Sequence, residues 1–190
     1  MTGCLSGRKR WLVPLSLAVS FAANDGEELL TLVPSLRRTL DALPSSIHLP
    51  ARVGAIDQRH VNAAIVTMGA LCAGAVANGI RTRGRGRLYQ DFQWVYGLHG
   101  FGHLAAAALT KGYATGVATS PTVVLPQFFH ALRSLEAAGV PHRMRPLRAL
   151  SLIGGWLALS HFTGVLWSHA HRCDDDEHRS GREDSELGEA

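Results

Sequence analysis

Residues 61–80 read VNAAIVTMGALCAGAVANGI, and none of these twenty residues carries a charge. Helices of soluble proteins usually place polar residues along one face, so an uncharged run of this length is unusual for them. About twenty apolar residues in a helix are enough to cross the hydrocarbon of a bilayer. The stretch therefore predicts a membrane-spanning helix, with a buried helix of a soluble bundle as the alternative.

Three further blocks lack Asp, Glu, Lys and Arg, and they cover residues 92–109, 113–132 and 149–170. Each has eighteen residues or more, which is again enough for one membrane span. Pro121 and Pro126 lie inside the second of these blocks. Because proline removes a backbone donor and clashes with the preceding turn, we expect a kink or a break there.

A fifth apolar block, residues 11–36, follows the basic residues 8–10 and is interrupted by a polar stretch. The basic start and the run WLVPLSLAVSFAA resemble a secretory signal, with cleavage near Ser20 or Ala23. The apolar character resumes at residues 29–36, however, and a cleaved signal does not need this second run. The pattern favours a retained first helix over a cleaved signal or an interfacial segment.

Together the blocks predict an all-α integral membrane bundle with four to five transmembrane helices within residues 1–170. Residues 171–190 are almost wholly polar and predict a disordered acidic tail. With the N-terminus inside, the inner segments hold eleven Arg and Lys residues and the outer segments hold eight. This bias predicts a multi-pass protein of the plasma membrane with a cytoplasmic N-terminus.

The net charge of +4 and the stretch RTRGRGR at residues 81–87 raise the alternative of a nucleic-acid partner. The stretch lies between two apolar blocks, so membrane topology and contact with lipid headgroups explain it better. We therefore expect the lipid bilayer as partner and no nucleic acid. The three cysteines have no CxxC spacing, so they predict neither a disulfide framework nor a zinc motif.

Residues 21–30, FAANDGEELL, place polar side chains inside the first apolar block. On a helix, Asn24, Glu27 and Glu28 stand at i, i+3 and i+4 and share one face. Carboxylates at membrane depth are costly and require partners such as cations, a metal ion or hydrogen-bond donors. The alternative is placement at the interface with water, because Trp11 and Glu27 lie about 24 Å apart along a helix.

A second polar cluster lies in the block 92–109, where LHGFGHL carries His99 and His103 at i and i+4. Two imidazoles with this spacing can bind one metal ion. The alternative is a pair of hydrogen-bonded core histidines. The glycines around the pair expose backbone and predict close packing with a neighbouring helix.

The two clusters together resemble the HXXEE domain family of bacterial membrane proteins. The family signature is a His, two variable residues and Glu-Glu, followed later by an apolar helix with a Gly-His pair. Glu27-Glu28 matches the acid pair, and Gly102-His103 matches the second element. A later stretch is similar to the family's Tyr-x-Pro-Gly-x-x-Thr-Ala pattern through Tyr113, Gly116 and Thr119. The resemblance covers residues 15–140 and implies a membrane protein without an assigned biochemical function.

The chain departs from the family pattern at three positions. Asn24 stands where the signature has its His, and Thr115 stands where the later stretch has its Pro. The resemblance also places an Asn of the relatives at His99. We hypothesise that His and Asn have exchanged places between two facing helices, which would keep the side chains of one shared site.

These clusters define the predicted site. The predicted metal ligands are Glu27, Glu28, His99 and His103, and the predicted catalytic residues are Glu27, Glu28 and His103. Asn24 and His161, the latter in ALSHFTG, complete the polar set. Carboxylate and imidazole ligands suit zinc, iron or manganese.

Three function classes remain open at this point. An enzyme would act on a lipid-soluble substrate, with a glutamate as ligand or general base. A transporter would relay protons or hold a cation, although the chain shows no internal repeat. An accessory membrane protein would use the acid and histidine groups only for structure. The oligomeric state stays open.

Overall fold

The structure is a computed structural model that describes residues 3–41, 56–143, 145–156 and 158–167. Over these residues the regular elements are helical and no strand is present. The predicted all-α class is confirmed. The predicted acidic tail, residues 171–190, lies outside the described residues.

Helix α1 runs from Lys9 to Asp41 without interruption. It includes both apolar halves of the first block and the polar residues 24–28 between them. Its 33 residues correspond to about 50 Å of helix. A single helix over this stretch is what a retained first helix predicts.

Helix α2, Gln58–Arg81, packs antiparallel to α1. Near one end of the pair, the Arg10 guanidinium donates a hydrogen bond to the carbonyl of Ile80 at 3.2 Å. Near the other end, the Gln58 amide donates to the carbonyl of Leu29 at 2.9 Å. These contacts place the start of α2 at the level of residues 28–29 of α1.

By length and composition, α2 is the one helix among the described residues that could cross a membrane. It contains the uncharged block 61–80, one of the blocks predicted to span the membrane. Among the described residues, no helix from the other four blocks combines the length and the hydropathy of a membrane span. The bundle of four to five membrane spans therefore stays a prediction.

Helix α3, Arg87–Thr110, runs parallel to α1. The hydroxyl groups of Ser20 and Tyr96 lie 3.0 Å apart in the buried contact between these two helices. Gly97 and Gly100 allow a close approach on another face, because a Cβ there would lie 2.5 Å from Phe128 and 2.8 Å from Val124. The close packing expected at these glycines is present.

The block at residues 113–132 is not one regular helix: its first residues are non-helical, and a π-helical turn instead of a break lies at the two prolines. A non-helical segment ends near Thr119 and is followed by a π-helical turn, Ser120–Val124, with Pro121 at its start. Helix α4, Leu125–Ala137, then begins with Pro126 in its first turn. The non-helical segment, residues 111–119, crosses over the polar stretch of α1, and we call it the crossing loop.

The last described elements return to α2. They are α5, Pro146–Ala149, a π-helical turn, Leu150–Gly154, and a helical segment at residues 158–167, here α6. The Thr67 and Thr163 hydroxyl groups lie 3.1 Å apart and join α6 to α2. Gly164 permits this approach, because a Cβ there would lie 2.8 Å from the backbone oxygen of His60.

A continuous apolar core connects these elements. Its buried members include Val13, Leu17, Phe21, Leu71, Tyr89, Phe92, Val124 and Leu135. The core holds α1, α2 and α3 in a fixed register, and this register determines which polar side chains meet.

Candidate functional site

Three side chains from two helices converge on one point. Glu28 on α1 places its Oε1 atom 3.0 Å from Nε2 of His99 and 3.0 Å from Nε2 of His103 on α3. The two Nε2 atoms are 2.7 Å apart. We call these three residues the triad, and they are the one such group of potential metal ligands among the described residues.

Hydrogen bonds alone do not account for this triangle while Glu28 is ionised. A carboxylate oxygen only accepts, and a ring nitrogen donates only when it carries the proton. If both Nε2 atoms are protonated, they face each other without an acceptor between them. If only one is protonated, the other directs its lone pair at the carboxylate. At least one contact of the triangle is therefore repulsive.

A cation among the three atoms would be attracted to all of them. Zinc binds imidazole nitrogen and carboxylate oxygen at about 2.0–2.2 Å, which sets tetrahedral ligand atoms about 3.3 Å apart. The triangle is slightly tighter than this spacing. Its side chains are 44% exposed for His99, 13% for Glu28 and 10% for His103, so the triad is reachable mainly from the side of His99.

Asn24, one turn before Glu28 on α1, supports the triad. Its side chain is fully buried, and its amide donates to Oε1 of Glu28 at 2.7 Å. Its oxygen lies 3.0 Å from the hydroxyl of Thr119, whose single O–H is shared between Asn24 and Glu27. Asn24 therefore fixes the Glu28 carboxylate and links it to the crossing loop.

Glu27 points away from the triad and holds the crossing loop. Its carboxylate accepts hydrogen bonds from the backbone amides of Ala118 at 3.1 Å and Thr119 at 2.8 Å. It also accepts from the hydroxyls of Thr119 and Tyr113. The two predicted acidic ligands thus have different surroundings, and only Glu28 joins the histidines.

Gly116 lies in the crossing loop directly against the triad. Its φ of +73° is favourable for glycine, and a Cβ there would lie 2.5 Å from Nε2 of His103. In the sequence, Gly116 is marked only by the family resemblance, which implies no role for it in the site. A glycine after a helix end is the signal that marks such a position, but the signal does not show what the glycine approaches.

The triad opens onto a cavity of about 390 Å³ between α1, α2, α3 and α6. The volume falls within the range of small-molecule pockets, about 300–1,000 Å³. Most of the lining is apolar and includes Phe21, Met68, Phe92 and Ile153. The cavity joins the triad to parts of the chain that are distant in sequence.

A second pair of histidines lines the same cavity. Nε2 of His60 and Nδ1 of His161 lie 3.0 Å apart, which one N–H can satisfy as a hydrogen bond. The predicted polar residue His161 therefore meets a partner and not the triad. Sequence reasoning missed His60, because it stands just before the apolar block of α2 and 101 residues from His161.

Residues 15–131 match the family described as protein of unknown function with HXXEE motif. The chain belongs to the HXXEE family. The match covers well over half of the 190 residues and contains the whole triad, which confirms the family predicted from the two polar clusters. No curated protein and no solved structure matches the chain.

The HXXEE motif falls on residues 24–28 of this chain, with Asn24 at the position of the His. In the structure this position and the second Glu of the motif are hydrogen-bonded to each other. The first Glu of the motif binds the crossing loop instead. The motif therefore combines two tasks in this member of the HXXEE family.

Proposed function

We propose that Glu28, His99 and His103 bind one divalent transition-metal ion in a membrane-embedded helical bundle. The observation that carries the proposal is the triangle of Glu28 Oε1 and the two Nε2 atoms, with sides of 3.0, 3.0 and 2.7 Å. Protons cannot satisfy all three contacts of an ionised Glu28, whereas one cation can. Asn24 supplies the second-sphere contact that metal-binding carboxylates commonly have.

The donor set indicates the class of metal. Two imidazole nitrogens and one carboxylate oxygen suit zinc, iron or manganese. Three protein ligands leave further coordination positions, as catalytic sites require. Because all three ligands line the cavity, a substrate in the cavity would lie beside these positions.

The membrane location rests on the apolar surface of the helices. Helix α2 has the length and composition of a span. Large apolar side chains also face outward on other helices, with Leu30 76% and Leu109 84% exposed. On α1, Leu12, Leu15 and Val19 are exposed at i, i+3 and i+7 and so share one face, and an apolar face of this kind is typical of a membrane or protein contact. We propose a multi-pass protein of the plasma membrane with its N-terminus in the cytoplasm.

The depth of the triad follows from α1. Glu28 lies nineteen residues after Lys9, which is about 28 Å of helix. This length is close to the thickness of the bilayer hydrocarbon, about 30 Å. With the N-terminus in the cytoplasm, the triad would lie near the opposite interface, where both water and lipid-soluble molecules can enter.

We propose an enzyme that acts on a lipid-soluble substrate at this depth. A bound divalent ion would act as a Lewis acid toward a substrate oxygen or a water molecule. Glu28, His99 and His103 hold the ion, and Asn24 fixes the Glu28 carboxylate. Glu27 is saturated by four donors of the crossing loop and so serves as a positioning residue, not as the general base.

Metal analysis of the purified protein tests the proposal. The wild-type protein, extracted in detergent without chelator, is expected to carry about one zinc, iron or manganese ion per chain. His99→Ala and His103→Ala are expected to lose it, while His130→Ala removes an exposed histidine outside the triad and serves as control. Zero metal in all proteins, or equal metal in all, contradicts the metal site and supports an accessory or proton-conducting role.

A further inference from the structure

Polar side chains line one end of the cavity, which we call its polar level, and apolar side chains line the other end, which we call its floor. Glu28 and His103 line the polar level from α1 and α3, and His60 and His161 line it from α2 and α6. The register of α1 and α2 explains this arrangement, because the contact between Gln58 and Leu29 sets His60 beside the level of Glu28. Two polar groups from different helices thus line one space.

The floor lies deeper along the same helices. Phe21 stands seven residues before Glu28 on α1, about 10 Å along the axis. Met68, Phe92 and Ile153 line the cavity with it. These four side chains are apolar. Asp25, the other acidic residue that lines the cavity, stands between Phe21 and Glu28 on α1, so the floor below it favours an apolar chain of limited length.

We propose that the cavity binds a single-chain amphiphile, with its oxygen-bearing head between the triad and the His60–His161 pair and its apolar chain on the floor. The proposal rests on the proposed function only where the head of the amphiphile contacts a metal ion held by the triad. The His60–His161 pair supplies the other side as a specificity-determining contact for that head. An imidazole pair with one shared N–H can present either a donor or an acceptor, so it suits a carboxylate or an alcohol.

The pair is held in place independently of the triad. Asp57 Oδ1 accepts from the backbone amide of His60 at 2.8 Å and caps α2, which fixes the start of that helix. On α6, Gly164 packs against His60, and Thr163 contacts Thr67. Replacing the two imidazoles should therefore leave the triad and its metal unchanged.

Ligand binding tests the proposal with the full-length protein in phosphatidylcholine nanodiscs. The probe is radiolabelled dodecanoic acid, a saturated single-chain fatty acid of twelve carbons, and empty nanodiscs correct for partition into lipid. Unlabelled dodecanoic acid, dodecanol and dodecane serve as competitors, so that the acid, the alcohol and the bare chain are compared. We expect the acid or the alcohol to compete better than dodecane by about tenfold, the factor that one net hydrogen bond gives.

Three variants locate the binding site. Ala64→Phe places a ring in the cavity and is expected to weaken binding of the probe at least tenfold. Ala73→Phe on the exposed face of α2 is the matched control and should leave this affinity unchanged. The double variant His60→Leu/His161→Leu is expected to remove the preference for a polar head and keep dodecane binding. Its metal content should equal that of the wild type.

Two results would overturn the proposal: equal effects of Ala64→Phe and Ala73→Phe, or an unchanged head preference in the double variant. Both results can be obtained whether or not the protein holds a metal ion. If the wild type holds no metal but shows cavity binding with a His60-dependent head preference, the proposed function fails and the amphiphile site stands. If metal is present and the probe does not bind, only the amphiphile site fails.

Discussion

Glu27 and Glu28 are neighbours on one helix, yet they belong to two different regions of the molecule. Glu28 faces two imidazoles of α3, and Glu27 faces backbone amides and hydroxyls of the crossing loop. Successive residues on a helix point about 100° apart, so adjacent carboxylates need not share a partner. The comparison shows that the acid pair of the HXXEE motif holds a site on one side and a backbone segment on the other.

The test with the largest expected effect replaces each of the two glutamates, in separate variants, with glutamine. Glu28→Gln should weaken metal affinity by more than about 100-fold, because even second-sphere changes cost about 10–100-fold. Glu27→Gln should change metal affinity by less than about threefold but lower the free energy of unfolding by about 1–3 kcal/mol, since it removes hydrogen bonds to a charged group. Metal titration and denaturant unfolding measure the two quantities.

Hydrogen exchange separates the same two variants by location. The amides of Ala118 and Thr119 are bonded to Glu27, so they should exchange faster in Glu27→Gln and at the wild-type rate in metal-free Glu28→Gln. Equal loss of metal in both variants would show that the acid pair acts as one unit.

The sequence predicted the helices and the histidine pair of the triad, but not the role of Glu27. Runs without charge located α2 and α3, and the i, i+4 spacing placed His99 and His103 on one face, because both signals are local. The different fate of Glu27 could not be predicted in this way. It depends on a loop about ninety residues further along the chain, and only the register of the packed helices decides which carboxylate that loop meets.

The same reason explains the missed half of the cavity. His60 gained no significance from its neighbours in sequence, and its contact with His161 spans 101 residues. The prolines, in contrast, act on their own backbone, and the structure has an irregular π-helical turn, not a break, at their positions. Local chemistry was predictable, and long-range pairing of polar groups was not.

The second test asks whether the crossing loop also shapes the triad. Gly116→Ala puts a methyl group 2.5 Å from Nε2 of His103, so the imidazole must move. We expect metal affinity to fall by about 10–100-fold, the range of second-sphere changes. The left-handed backbone adds a stability cost of about 1–2 kcal/mol for a residue with a side chain.

Gly102→Ala is the matched control for this test, because a Cβ at Gly102 meets nothing within 4 Å. It should leave metal affinity unchanged, and replacing a helical glycine should be neutral or stabilising. If Gly116→Ala binds metal like the wild type, the loop holds Glu27 without constraining the triad, and the two regions are independent.

The smallest expected effect belongs to the exchange of Asn24 and His99. Both side chains contact the same Oε1 atom of Glu28, the Asn24 amide at 2.7 Å and the His99 ring at 3.0 Å. His99→Asn alone should lose most of the metal, because one ligand is gone. The double variant Asn24→His/His99→Asn restores the His of the motif and returns an imidazole to Glu28 from α1, the helix of Glu28, in place of α3. We expect its metal affinity to lie within about tenfold of the wild type. A double variant that binds no better than His99→Asn would mean that position 24 only orients Glu28, and that the Glu28 region accepts its histidines from α3 alone.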